Sequence, residues 1–182
     1  MPSIPYKSLD DAGPQEIVAA ILERRGGRLL NIDRVLLHSV PFTQGWNSLL
    51  SKVRQELDLP GKLLELAACA VCGLSGAEYE LYHHGPLFIR NGGTPAQFNA
   101  LRDLKDALTR PSLFSPLECD VLRLAMAMTQ QATASGELLA RLRRELGDQQ
   151  LLELVGVVAT YNMVARFVVT LGIEVESVTA HQ

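Results

Sequence analysis

Cysteine is scarce in this chain, with three residues among 182. So small and odd a number does not build the disulfide framework of a secreted domain. Charge of one sign is lacking as well. The formal net charge is −3, and apart from the cluster Arg141, Arg143 and Arg144 the arginines are scattered. Without a basic footprint, nucleic acid is not an expected partner. Long uninterrupted apolar runs are also missing, because Arg166 divides the most hydrophobic C-terminal segment, so no membrane span is expected. The opening residues, MPSIPYKSLDDAG, lack the apolar centre of a signal peptide. Together these absences point to a cytoplasmic protein. No convincing run alternates apolar with polar residues, so half-buried strands are not expected.

What the sequence has instead is helical periodicity. At 182 residues with 47% hydrophobic content, the chain suits one domain with a sizeable apolar core. Its 20% charged content is slightly low, as in helical proteins that bury part of their surface by self-association. Residues 1–24 read as an arm and a first helix opened by Pro14, and Gly26-Gly27 stops that helix. Short helices are expected at 32–38, ended near Pro41, and at 44–57. A strongly apolar helix follows from about Lys62 to Cys72. A second, with Pro86 inside it, runs to Gly92-Gly93. Thr94-Pro95 opens a helix to about Leu104. Ser115, Pro116 and Glu118 form a capping box that starts a helix over 116–133. Helices at 136–146 and 148–171 complete an all-α bundle, with 176–182 as a tail.

The chemistry concentrates in Ser75-Gly-Ala-Glu-Tyr-Glu-Leu-Tyr-His-His-Gly-Pro86, which holds two of the four histidines. On a helix Glu80 and His84 share a face, while His83 points about a hundred degrees away. A carboxylate beside an imidazole can fix its tautomer and leave the second nitrogen to move protons. The same spacing also describes a solvated helical pair. Tyr79 and Tyr82 flank the histidines and supply hydroxyls or packing. The Glu80-x-x-His83 spacing fits helical di-iron sites, but no second such motif exists, and neither His38 nor His181 is marked out as a further ligand. No metal or other cofactor is expected.

Cys69-Ala-Val-Cys72 invites a redox reading. A reactive pair of this spacing belongs at a helix N-terminus, where the dipole lowers a thiol's pKa. Here two helical turns precede it and the neighbours are apolar, so both cysteines read as core residues. Glu65, in the same apolar run, either faces solvent near the helix start or points inward as a functional acid.

Glu65, then Ser75 to His84, then Asn91-Gly-Gly, resembles the carboxymuconolactone decarboxylase and alkylhydroperoxidase D-like superfamily. His38-Ser-Val-Pro, Gly45-Trp46, Leu151-Leu-Glu-Leu and Tyr161-Asn-Met-Val-Ala-Arg166 extend the resemblance over most of residues 25–175. It implies a single-domain helical bundle that forms homo-oligomers, as dimers, trimers or hexamers. The peroxidase branch uses a glutamate, a Cys-x-x-Cys pair and a histidine. Glu65 and His84 match the first and last, but Ala77 and Glu80 stand at the cysteine positions, so a thiol peroxidase of that type is disfavoured. The decarboxylase branch carries Glu-Leu-x-x-His, as in Glu80 to His84.

By this resemblance Glu65, Glu80 and His84 are the expected catalytic residues, with Tyr79, Tyr82 and His83 binding substrate. The expected partner is a small organic acid or lactone, and the expected chemistry is decarboxylation or proton transfer. The alternative is a helical binding or assembly protein that kept the fold without the chemistry.

Overall fold

A computed structural model describes residues 2–8, 10, 13–110 and 112–176. All regular structure among them is helical: α1 Gln15–Arg25, α2 Asn31–Leu36, α3 Val40–Gln55, α4 Gly61–Leu74, α5 Glu78–Arg90, α6 Pro95–Ala100, α7 Leu104–Ala107, α8 Pro116–Gln131 and α9 Gly136–Leu171. The chain divides into two compact units. One holds the chain up to Leu57 together with the segment from Leu171 onward, and the other is Asp58–Thr170.

In the first unit, Ile17 and Ile21 are buried one helical turn apart on α1 and cluster with Leu37. Gly26 ends α1 in the left-handed region, at φ 67°, which only glycine adopts without penalty. Asp33, fully buried, accepts the Leu30 amide at 3.0 Å and pairs with Arg24 at 3.3 Å and Arg25 at 3.1 Å. Pro41 does not act as the stop that its position suggests. It sits in the first turn of α3, where its missing N–H costs nothing, so α3 begins four residues earlier than the apolar pattern predicts.

In the second unit α4 is the central element. Every residue from Leu66 to Cys72 is fully buried, because α4 packs against α5 on one side and α8 on another. Burying each large side chain of that run stabilises the fold by about 1.5–3 kcal/mol. The α8 capping box forms as expected: the Glu118 amide donates to Ser115 Oγ at 3.2 Å, and the Ser115 amide donates to Glu118 Oε2 at 2.8 Å. Glu118 Oε1 also meets Lys62 Nζ at 2.6 Å, which ties the start of α4 to the start of α8.

α5 continues through Pro86 as one helix. Tyr82 and Pro86, one turn apart, both face outward, so the Tyr82 carbonyl that lacks its helical partner lies on the solvent side. The two expected C-terminal helices join as α9, with a break at Gly147 (φ 74°) where the boundary was placed. By length and composition α9 could cross a membrane, with a mean hydropathy of 1.7 over its most apolar window despite Arg166. Half of that window is buried inside the protein, as in a core helix, with Leu154, Val157, Val158 and Tyr161 fully enclosed.

Candidate active site

The packing of α4 on α5 brings three of the expected residues together. Glu65 lies in the second turn of α4 and points inward, not toward solvent. Glu80 and His84 share the inner face of α5, one turn apart. Glu65, Glu80 and His84 are exposed by only 7%, 3% and 1%.

The imidazole meets two carboxylates, its helical neighbour Glu80 and Glu65 from α4. His84 Nδ1 lies 2.6 Å from Glu65 Oε2, across nineteen residues of sequence, whereas Glu80 Oε2 stands 3.4 Å from Nε2. The short Glu65 contact has the length of a charge-assisted hydrogen bond. The Nε2 side has a second partner that sequence reasoning missed: the Tyr161 hydroxyl, 3.2 Å away. Tyr161 comes from α9 with no exposed surface, and its ring stands nearly perpendicular to the imidazole, at 83° with centroids 4.9 Å apart. In the sequence Tyr161 is marked only by the family resemblance, and nothing local shows that its hydroxyl points at a residue 77 positions earlier.

Two buried carboxylates around one imidazole form a polar cluster in an apolar interior. Such groups are tolerated only when hydrogen-bonded, and removing one partner strands the others. Cys69, one turn beyond Glu65 on α4, lies in the field of this cluster. Burial first, then the negative charges of Glu65 and Glu80, push its thiol far above the ordinary cysteine range. Cys69 and Cys72 are both free and fully enclosed, as expected of core residues. Ala77, at the other position a peroxidase-type cysteine would hold, is buried at the start of α5.

The residues expected to bind substrate pack on one another. The His83 ring packs edge-on against Tyr79, with centroids 4.7 Å apart, and against Tyr82, at 5.2 Å. Tyr79 is buried, while Tyr82 is 59% exposed. His38 belongs to the first unit, with Nε2 2.8 Å from the Pro5 carbonyl, and His181 lies outside the described residues. Among the described residues, no group of three or more His, Cys, Asp or Glu side chains has the arrangement of a metal site. A surface cavity of about 460 Å³ lies at α6 and α7, lined by Arg102, Asp103, Asp106 and Arg110 and not by Glu65, Glu80 or His84. Its arginines are paired, Arg102 with Glu78 at 2.7 Å and Arg110 with Asp106.

By sequence, no family model and no curated protein matches the chain. Its structure is similar to that of an uncharacterized peroxidase-related protein from Silicibacter sp. TM1040, with a TM-score of 0.80 and 18% identity over 100% of this chain and 95% of that one. An uncharacterized peroxidase-related protein from Ralstonia eutropha JMP134, described as an alkylhydroperoxidase AhpD core, superposes with a TM-score of 0.82 at 16% identity, covering 97% and 93% of the two chains. The debrominase Bmp8, solved with 2,3,4-tribromopyrrole, gives a TM-score of 0.74 at 16% identity over 96% and 91%. The chain therefore has the all-α alkylhydroperoxidase D-like fold that its sequence resemblance implies.

Proposed function

We propose that this chain is a cofactor-independent acid/base enzyme acting on a small organic acid or lactone, with His84 as the group that moves the proton. The observation that supports this most is the clamp on His84. Glu65 engages Nδ1 at 2.6 Å, which leaves Nε2, beside Glu80 and Tyr161, as the nitrogen that exchanges protons. In a decarboxylation the bond to the carboxylate carbon breaks and carbon dioxide leaves. The electron pair passes into the conjugated lactone carbonyl, and imidazolium Nε2–H then protonates the carbon. Glu65 balances the positive charge that His84 carries before that transfer, and over one turnover the reaction takes up one proton from the medium.

Thiol peroxidase chemistry is not supported. It needs an accessible thiolate, whereas Ala77 and Glu80 stand at the cysteine positions and Cys69 is enclosed beside two carboxylates. One observation favours a second reading, a non-catalytic helical scaffold. Glu65, Glu80 and His84 are all closed off from solvent, as a purely structural cluster would be. Self-association belongs to either reading: Leu152 and Met163 on α9, and Tyr82 and Ile89 on α5, are apolar side chains left exposed that a second copy would cover.

The test is carbon dioxide release from a panel of small lactone acids and unsaturated carboxylic acids, by the wild-type protein and by His84→Gln. Turnover that falls by a factor of about 100 or more in a folded variant supports the enzyme. An inert wild type across the panel, with His84→Gln losing only thermal stability, supports the scaffold.

A further inference from the structure

Neither the Ser75–Pro86 motif nor the helical spacing on α5 announces Tyr161 as a member of the buried cluster. Its hydroxyl meets His84 Nε2 at 3.2 Å, and its ring is fully buried edge-on against the imidazole. Facing His84 stand Glu65 from α4, Glu80 from its own helix and Tyr161 from α9, with Cys69 in the field of the two carboxylates. An ionised carboxylate can only accept, so at 2.6 Å from Glu65 the Nδ1 atom carries the hydrogen. A neutral imidazole then has a bare Nε2 that must accept a hydrogen bond. Beside it, an ionised Glu80 has no proton to give, while the Tyr161 hydroxyl has one.

We propose that Tyr161 is a positioning residue that donates its O–H to His84 Nε2 and so fixes neutral His84 as the Nδ1–H tautomer. When Nε2 gains a proton it becomes a donor, and Glu80 Oε2 at 3.4 Å is the carboxylate within reach to accept it. Tyr161 thus serves the neutral form of Nε2 and Glu80 the charged form. Tyr161 also keeps the imidazole plane fixed from a third helix, so the working nitrogen does not swing away between turnovers. This role rests on the proposed use of His84 for proton transfer, but the tautomer itself does not.

The experiment is ¹⁵N NMR of protein labelled in its histidines, at a pH where His84 is neutral, with His84→Gln for assignment. The expected wild-type spectrum shows a protonated, pyrrole-type Nδ1 and a bare, pyridine-type Nε2 whose resonance is shifted by a hydrogen bond. In Tyr161→Phe the Nε2 resonance should move toward its unbonded position while Nδ1 stays protonated. Should Tyr161→Phe fail to fold, the wild-type spectrum still decides: a bare Nδ1 with a protonated Nε2 overturns the assignment. An Nε2 resonance unmoved in a folded Tyr161→Phe overturns it too. If a substrate is found, Tyr161→Phe should lower kcat about tenfold with little change in KM, the effect of losing one hydrogen bond. An inert wild type bearing the expected tautomer would count against the enzyme reading alone and leave the Tyr161 assignment standing.

Discussion

Glu65 Oε2 and His84 Nδ1 stand 2.6 Å apart in an interior where neither side chain is open to solvent. They come from different helices, and their contact depends on α4 lying flat against α5. This pair carries the account of the molecule, because it turns a helical histidine into one with a fixed orientation.

Glu65→Gln should lower folding stability by about 1–3 kcal/mol, since a neutral amide replaces the charge-assisted acceptor in a buried site. A urea midpoint that falls with an unchanged denaturant slope is the expected result. An unchanged midpoint would mean that Glu65 is not engaged with His84 in solution.

Cys69 and Cys72 should resist thiol reagents in the native protein and react fully once the chain is unfolded. Both are fully enclosed, and burial together with Glu65 and Glu80 keeps the Cys69 thiol protonated. Half-buried Cys119, on α8, should label first. Rapid native labelling of Cys69 would revive the thiol reading.

Gly73→Ala should destabilise the protein, although alanine is the better helix former. A Cβ on Gly73 would lie 2.4 Å from the Leu101 carbonyl oxygen, a backbone atom that cannot swing aside. A loss of about 1–3 kcal/mol in chemical denaturation is expected, as for overpacked cores. A gain in stability would show that α4 and the Leu101 turn are less closely apposed.

Acid should weaken the second unit through Asp120 and Glu118. The Arg141 guanidinium, against the opposing effect of burial and with help from Arg123, holds the Asp120 carboxyl below its usual range. Burial pushes Glu118 up, but the Lys62 ammonium and the Ser115 amide outweigh it, and it too ends lower. A carboxyl with a depressed folded value contributes its full stability above the unfolded value, about pH 4, and loses it as pH falls through the folded one. Asp120→Asn should therefore cost stability at neutral pH, with its difference from wild type shrinking below about pH 4. A difference that stays constant down to pH 2 would contradict the pairing with Arg141.

The parts legible in the sequence were those that depend on near neighbours. The α8 capping box is written into Ser115, Pro116 and Glu118, and the break at Gly147 into a glycine between two apolar patterns. The enclosed thiols followed from two helical turns of apolar residues ahead of them. Pro41 was misread because a proline that ends one helix and one that opens the next look alike without the backbone. The partners of His84 were legible only in part. Spacing reveals Glu80 at one turn, but Glu65 reaches Nδ1 only through helix packing, and Tyr161 only through the return of α9. Periodicity shows which face is buried, not which atom it meets.

The most direct test of the central claim, that His84 clamped by Glu65 moves a proton, is deuterium capture. The protein is incubated in heavy water with the panel of lactone acids, and products are followed by NMR. The account predicts a product carrying one deuterium at the carbon that lost its carboxylate, formed by wild type and not by folded His84→Gln. Products formed equally by His84→Gln, or no exchange and no carbon dioxide from any substrate, would contradict it.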